Sequence, residues 1–378
     1  MPLHPSGKFL KSRELSNPFL LDENRRKIIY LARWGYRLQT APIAARDFPA
    51  KNASRTSVCV IFLFLAILSA SAFLTKELDS NYKLVTTWGG GGEGPGEFIF
   101  PAGLKVYNNE VYVVDVEGHN IEVFDLDGNY LRAFGKEGDG PGEFNRPWNI
   151  YFHQDELYVA AYANNRIDIY DPDGTFKRSF GSLGTGDGEM EGPTALTIDS
   201  RGNIIIADFY NHRVVRHDAE GNFISAWGVA DEPSARNNRF NYPLDLISSR
   251  DSEFIYIVDS GNERIKVYDA DGEYKYKWGG PFGYNIFITY FDWFPFKGWF
   301  SDPKSIAIDQ RGQIYVGDAS NKRIQVFDER GSFITAFGAT GEHEFRNIGG
   351  IDVATDGSIF VVNQRTSTIQ KWQYNPSE

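Results

Sequence analysis

From residue 82 onward the chain is built of short apolar runs, alternating in places with polar residues and separated by Gly, Asn and Asp. In the first clear unit, residues 103–107, 111–115, 121–125 and 130–134 read as strands, with Asn108-Asn109 and Asp127-Gly128 as hairpin turns. The pattern recurs. VVDVEGHNIEVFDLDG, VAAYANNRIDIYDPDG, IADFYNHRVVRHDAEG, IVDSGNERIKVYDADG, VGDASNKRIQVFDERG and VVNQRTSTIQKWQY align on Asp115, Ala161, Asp208, Asp259, Asp318 and Asn363. Four strands per unit at this period predict propeller blades, because one small sheet cannot cover its own faces and must stack on neighbours. The outer runs end in Phe134-Gly135, Phe180-Gly181, Trp227-Gly228, Trp278-Gly279 and Phe337-Gly338, while Trp88-Gly89 precedes the first full unit. The last unit stops after its third run, so residues 82–88 are expected to supply its outer strand and hide the open edge. The expected fold class is all-β, a six-bladed β-propeller of four-stranded antiparallel blades spanning residues 82–375.

Charge divides the chain further. Residues 1–56 hold eleven Lys/Arg against four acids, and the remainder 28 against 46. Between them, residues 56–75 carry no charge and as a helix would reach about 30 Å, one bilayer core. The positive-inside rule then makes residues 1–56 a basic, poorly ordered cytoplasmic segment, 57–75 a transmembrane signal anchor, 76–81 a linker, and the propeller extracytoplasmic. Ala70-Ser71-Ala72 also reads as a cleavage site, and cleavage would secrete the propeller, periplasmic or extracellular. The long leader favours the anchor. Cys59 is the single cysteine, which excludes a disulfide scaffold, a thiolate zinc cluster and a two-cysteine redox centre.

The run D-x-x-N-x-R-I-x-x-[FY]-D-x-x-G at 259–272 and 318–331, and the link G-P-G-E-F-x-x-P at 94–101 and 140–147, resemble the NHL repeat. The resemblance covers about residues 82–374 and implies a six-bladed propeller. It leaves activity open, since that family includes enzymes, sensor domains and nucleic-acid binders. Asn120 and Thr368 depart from the pattern, replacing the arginine found at Arg166, Arg213, Arg264 and Arg323. The family's amidating lyases take metal-binding histidines from the starts of inner strands, where this chain has Ala102, Trp148, Thr194, Leu244, Lys304 and Gly349.

Other motifs have plain explanations. The glycines of 89–96 recur as blade connectors and lack the G-K-[ST] of a phosphate loop. Asp125 to Gly128 imitates a calcium loop, but Tyr130 and Lys136 stand where glycine and a bidentate glutamate belong, so a hairpin turn is expected. No metal site, cofactor or catalytic residue is assigned. The least explained stretch is the connector 279–302, with ten aromatics within nineteen residues, which reads either as a satellite cluster or as a recognition surface. Strand parity puts it on the face pointing away from the anchor. The expected function is therefore a membrane-tethered scaffold that binds a protein, peptide or glycan on that face without chemistry of its own, through Trp148, Tyr162, Tyr210, His212, Trp293, Phe296 and Trp299. The alternative is a metal-assisted hydrolase or lyase at the channel mouth, where Asn149, Asp245, His119 and His212 might converge. The acidic propeller argues against a nucleic-acid partner.

Overall fold

The computed structural model describes residues 78–279, 297–338 and 341–376, so residues 1–56, the apolar run 57–75, Trp293 and Phe296 lie outside the described residues. Six four-stranded antiparallel sheets form the blades. The first comprises Pro101–Tyr107, Glu110–Asp115, Asn120–Asp125 and Tyr130–Phe134, and the pattern repeats through the blade that opens at Pro303–Ile308. The sixth takes Ile348–Val353, Ile359–Asn363 and Thr368–Tyr374 from the C-terminal end and Tyr82–Gly89 from the other end of the ring. Tyr82 pairs with Tyr374 and Gly89 with Thr368, as the expected closure requires. The seam is reinforced by the Tyr82 ring, stacked 4.1 Å from Phe337, and by Asp79, whose N–H donates to the Ala336 carbonyl at 2.8 Å. Among the described residues no helix is long and apolar enough to cross a membrane.

The hydrophobic pattern follows from this stacking. Second strands are buried on both faces: in Glu110–Asp115, Val111 and Val113 pack towards blade six while Tyr112 and Val114 pack towards blade two. Such strands read as continuous apolar runs rather than alternating ones. Outer strands alternate, as in Phe176–Phe180, because only one face is covered. Each seam is its own apolar cluster, and a fully buried Val, Ile or Phe contributes about 1.5–3 kcal/mol there.

One contact links two of the repeating motifs. The outer-strand Trp88 lies over Gly128 in the turn of the next blade, where φ is +89° and an added Cβ would stand 2.5 Å from the indole. The turn thus needs glycine for its backbone and for the ring above it. Asp125 Oδ1 accepts from the Asp127 and Asn129 N–H groups at 2.9 Å each, which makes the D-x-D-G run a hairpin turn, as expected.

Candidate functional site

The second-to-third-strand loops and the blade connectors meet on one face, around the mouth of the central channel. Each such loop ends on a residue with positive φ: His119, Asn165, His212, Glu263, Lys322 and Ser367. That kink turns the side chain towards the next blade. His119 Nδ1 accepts from the Arg146 N–H at 3.2 Å and His212 Nδ1 from the Tyr242 N–H at 3.0 Å, while Asn165 Oδ1 takes Gly192 at 3.0 Å. Both histidines are therefore joints between blades. They do not converge on Asn149 and Asp245 as ligands of one ion, and among the described residues no three His, Cys, Asp or Glu side chains gather into a metal-binding group.

Aromatic rings run in an arc along this face. Phe100 lies 6.4 Å from Trp148, Trp148 5.4 Å from Tyr162, and Tyr162 5.9 Å from Tyr210, with the two phenols hydrogen-bonded at 2.8 Å. Tyr242 continues it, 6.4 Å from Tyr210 and 4.4 Å from His212. Gly192 permits the close approach: its φ is +66°, and a Cβ there would meet Tyr210 at 2.9 Å and Tyr162 at 3.0 Å. Burial pushes the Tyr210 phenol above the ordinary tyrosine range. Four of the expected contact residues, Trp148, Tyr162, Tyr210 and His212, are thus brought together. Tyr242 and Phe100 join them without any motif, since both sit in irregular connector segments. Trp299 stands elsewhere: its carbonyl accepts from Arg323 at 3.2 Å and Gln325 at 2.7 Å, the place that Glu143 and Glu189 hold in blades two and three.

Beside the arc, the channel mouth is nearly filled. Trp148, Asn149, Asp245, Lys304 and Gln364 line a cavity of about 10 Å³, room for one water. Asn149 donates to Asp245 Oδ1 at 3.3 Å, and Asp245 also accepts from the Leu246 and Ile306 N–H groups at 2.9 Å each. Burial lifts the Asp245 carboxyl to about 6, against the pull of Lys105 and those two N–H groups. Lys105 pairs with Asp352 at 3.3 Å across the seam between the first and last blades. Burial works against its charge, but Asp352 and then Asp245 hold the ammonium above the ordinary lysine range. The starts of inner strands, Ala102, Leu244 and Gly349 among them, do line this mouth, and they offer no imidazole for zinc.

The opposite face carries a wider groove that the sequence did not announce, about 530 Å³ between blades two and three, with Glu156, Lys177, Arg178 and Glu220 on its walls. Arg178, with Lys177 and Tyr158, holds Glu156 down at about 2 against its burial. The groove is internally neutralised, which leaves its cations committed.

Comparisons with known proteins agree with the architecture. A family model described as a 6-bladed beta-propeller matches residues 101–151 and 144–246, and the NHL repeat model matches 300–327. Protein brain tumor of Drosophila melanogaster is 25% identical over 149 residues, covering 39% of this chain and 12% of that protein. Peptidyl-glycine alpha-amidating monooxygenase B of Xenopus laevis is 28% identical over 176 residues, covering 45% of this chain and 19% of that protein. The matched part of the chain thus spans less than a fifth of either relative. A solved streptogramin B lyase is 15% identical, with a TM-score of 0.53 over 79% of this chain and all of that one, a likeness of fold.

Proposed function

Because the chain belongs to the NHL-repeat family of six-bladed β-propellers, we propose that it is a binding module, membrane-tethered and extracytoplasmic, that captures a peptide, protein or glycan on the face carrying the aromatic arc. The observation behind this reading is the contiguous row Trp148, Tyr162, Tyr210 and Tyr242, beside a mouth lined by amide and charged groups. Half-buried Trp and Tyr give large, rigid contact area at low entropic cost, and the polar rim orients a ligand. Trp293 and Phe296, which lie outside the described residues, remain expected contacts of the same ligand. The tether rests on the uncharged run 56–75 and the basic excess before it.

Screening the full chain against peptide and glycan panels tests the reading. Trp148→Ala with Tyr210→Ala should lower capture at least tenfold while the circular dichroism of the ring persists; unchanged capture by the folded double variant would refute it. Protease treatment of intact cells should reach the propeller and spare residues 1–56.

A second reading, catalysis at the channel mouth, is supported by the raised Asp245 carboxyl and by relatives whose names describe peptidyl-glycine amidation. Asp245 would serve there as a proton donor or acceptor positioned by Asn149. The metal-assisted form fits poorly, because the mouth lacks imidazole ligands and His119 and His212 are engaged as blade joints. Turnover of a peptidyl-α-hydroxyglycine that disappears in Asp245→Asn would establish the catalytic reading and displace the first.

A further inference from the structure

In four blades an arginine opens the third strand and is held by one buried carboxylate: Arg166 by Asp168 at 2.6 Å, Arg213 by Asp208 at 2.8 Å, Arg264 by Asp259 at 2.7 Å and Arg323 by Asp318 at 2.9 Å. The outer guanidinium nitrogens then clasp carbonyls of the incoming connector. Arg166 donates to Asp139, Gly140 and Glu143, and Arg213 to Thr185, Gly186 and Glu189. The first three connectors are built alike: Gly92 donates to the Phe98 carbonyl at 3.2 Å, Gly138 to Phe144 at 3.1 Å and Gly184 to Met190 at 3.3 Å. In blade one the carbonyls equivalent to the clasped ones are those of Glu93, Gly94 and Glu97.

Among the described residues no arginine reaches them. Asn120 stands in its place and is too short, and its buried Oδ1 has no hydrogen-bond partner. The seat instead contains two buried carboxylates. Asp115, 2% exposed, accepts from the Ile99 and Phe100 N–H groups, and Glu122, 4% exposed, accepts from the Gly96 N–H at 2.9 Å. Burial lifts the Glu122 carboxyl to about 7, and the charges of Asp115 and Glu97 add to the rise. Blade six has also lost its arginine, but it carries the uncharged set Asn363, Thr368 and Gln370, and the Gln370 amide donates to the His343 carbonyl at 3.0 Å. Among the described residues, blade one alone places buried acid at this seat with no base to balance it.

We propose that a hard divalent cation of calcium's kind occupies the seat of the missing guanidinium in blade one, held by Asp115, Glu122, Asn120 Oδ1 and the connector carbonyls of Glu93, Gly94 and Glu97. Every donor is oxygen, and two are carboxylates whose charge a divalent ion cancels. A mixture of carboxylate, amide and main-chain oxygens suits calcium and offers nothing to a soft metal. The ion would do for this connector what the arginine does for its neighbours.

The full chain, stripped with a calcium chelator, should unfold about 5 °C lower at pH 7.5 than in millimolar calcium. Terbium should bind in calcium's place and emit under excitation of Trp88 of blade six, whose ring packs 6.1 Å from Phe124 of blade one across the seam, and calcium should quench that emission. Glu122→Gln should lose both responses. Asn120→Arg restores the guanidinium and should unfold at the calcium-saturated temperature whether or not calcium is present. It remains decisive if Glu122→Gln folds poorly. Identical melting of the unmodified chain with and without calcium, or a full calcium response in Asn120→Arg, would overturn the proposal.

Discussion

His217 is buried at 0% exposure with neither ring nitrogen hydrogen-bonded, at a position that the other blades fill with Phe124, Tyr170, Tyr268, Phe327 and Trp372. In those blades the ring meets a connector aromatic at 5.4–5.7 Å, whereas blade three has Met190 at the connector position and an imidazole set between Phe180 and Phe223. Burial drives the His217 pKa down from 6.5 to about 4. The folded pKa is depressed, so between pH 6.5 and 4 the unfolded chain binds more protons, and the stability present above 6.5 drains away as pH falls through that window. His217→Phe should remove this loss and add about 1–3 kcal/mol at neutral pH, read from urea unfolding at pH 5 and 7. The sequence displays this aromatic column only once the six blades are stacked. The repeat arginines are legible as a recurring position, and each is held by a buried carboxylate. The compensation in blade two is not legible: Ala161 removes the usual carboxylate, and Asp168, on the third strand, supplies it from a position the motif leaves open. A side chain two residues along a strand returns to the same face, so the exchange is geometrically free but invisible to an alignment on Asp115.

At the scale of the element, the strand Tyr82–Gly89 decides whether blade six has an edge. It pairs along its length with Thr368–Tyr374, interrupted by one bulge between Leu84 and Thr86. Internal deletion of residues 82–89 would bare that ladder and uncover Trp372 and Phe337, both buried. The expected outcome is self-association or failure to fold, measured by gel filtration and circular dichroism; a monomeric, fully folded deletion would show that closure is dispensable. This strand was readable in the sequence because the outer strands share the ending Trp/Phe-Gly and the last unit lacks one. The order of inner-mouth residues was readable too. The polar plug was not, since Lys105, Asn149, Asp245 and Asp352 come from four blades and no local pattern brings them together.

For the molecule as a whole, each blade shares an apolar cluster with both neighbours, and the ring has no terminal unit from which to fray. An open repeat array can lose end units separately, but a closed one cannot. A lesion in one blade should therefore lower a single transition rather than split it. Gly128→Val, which sets a branched side chain against Trp88 at positive φ, supplies the lesion. Differential scanning calorimetry should show one peak moved down, and two resolved peaks would contradict the ring's cooperativity. The hub has its own bearing on what such a disk can do. With Lys105 and Asp352 paired across one seam at its rim and Asp245 and Asn149 joined beside them, the cavity there has room for one water. A ligand arriving at that hub meets side chains already engaged with one another, so the arc beside it is left to provide the grip.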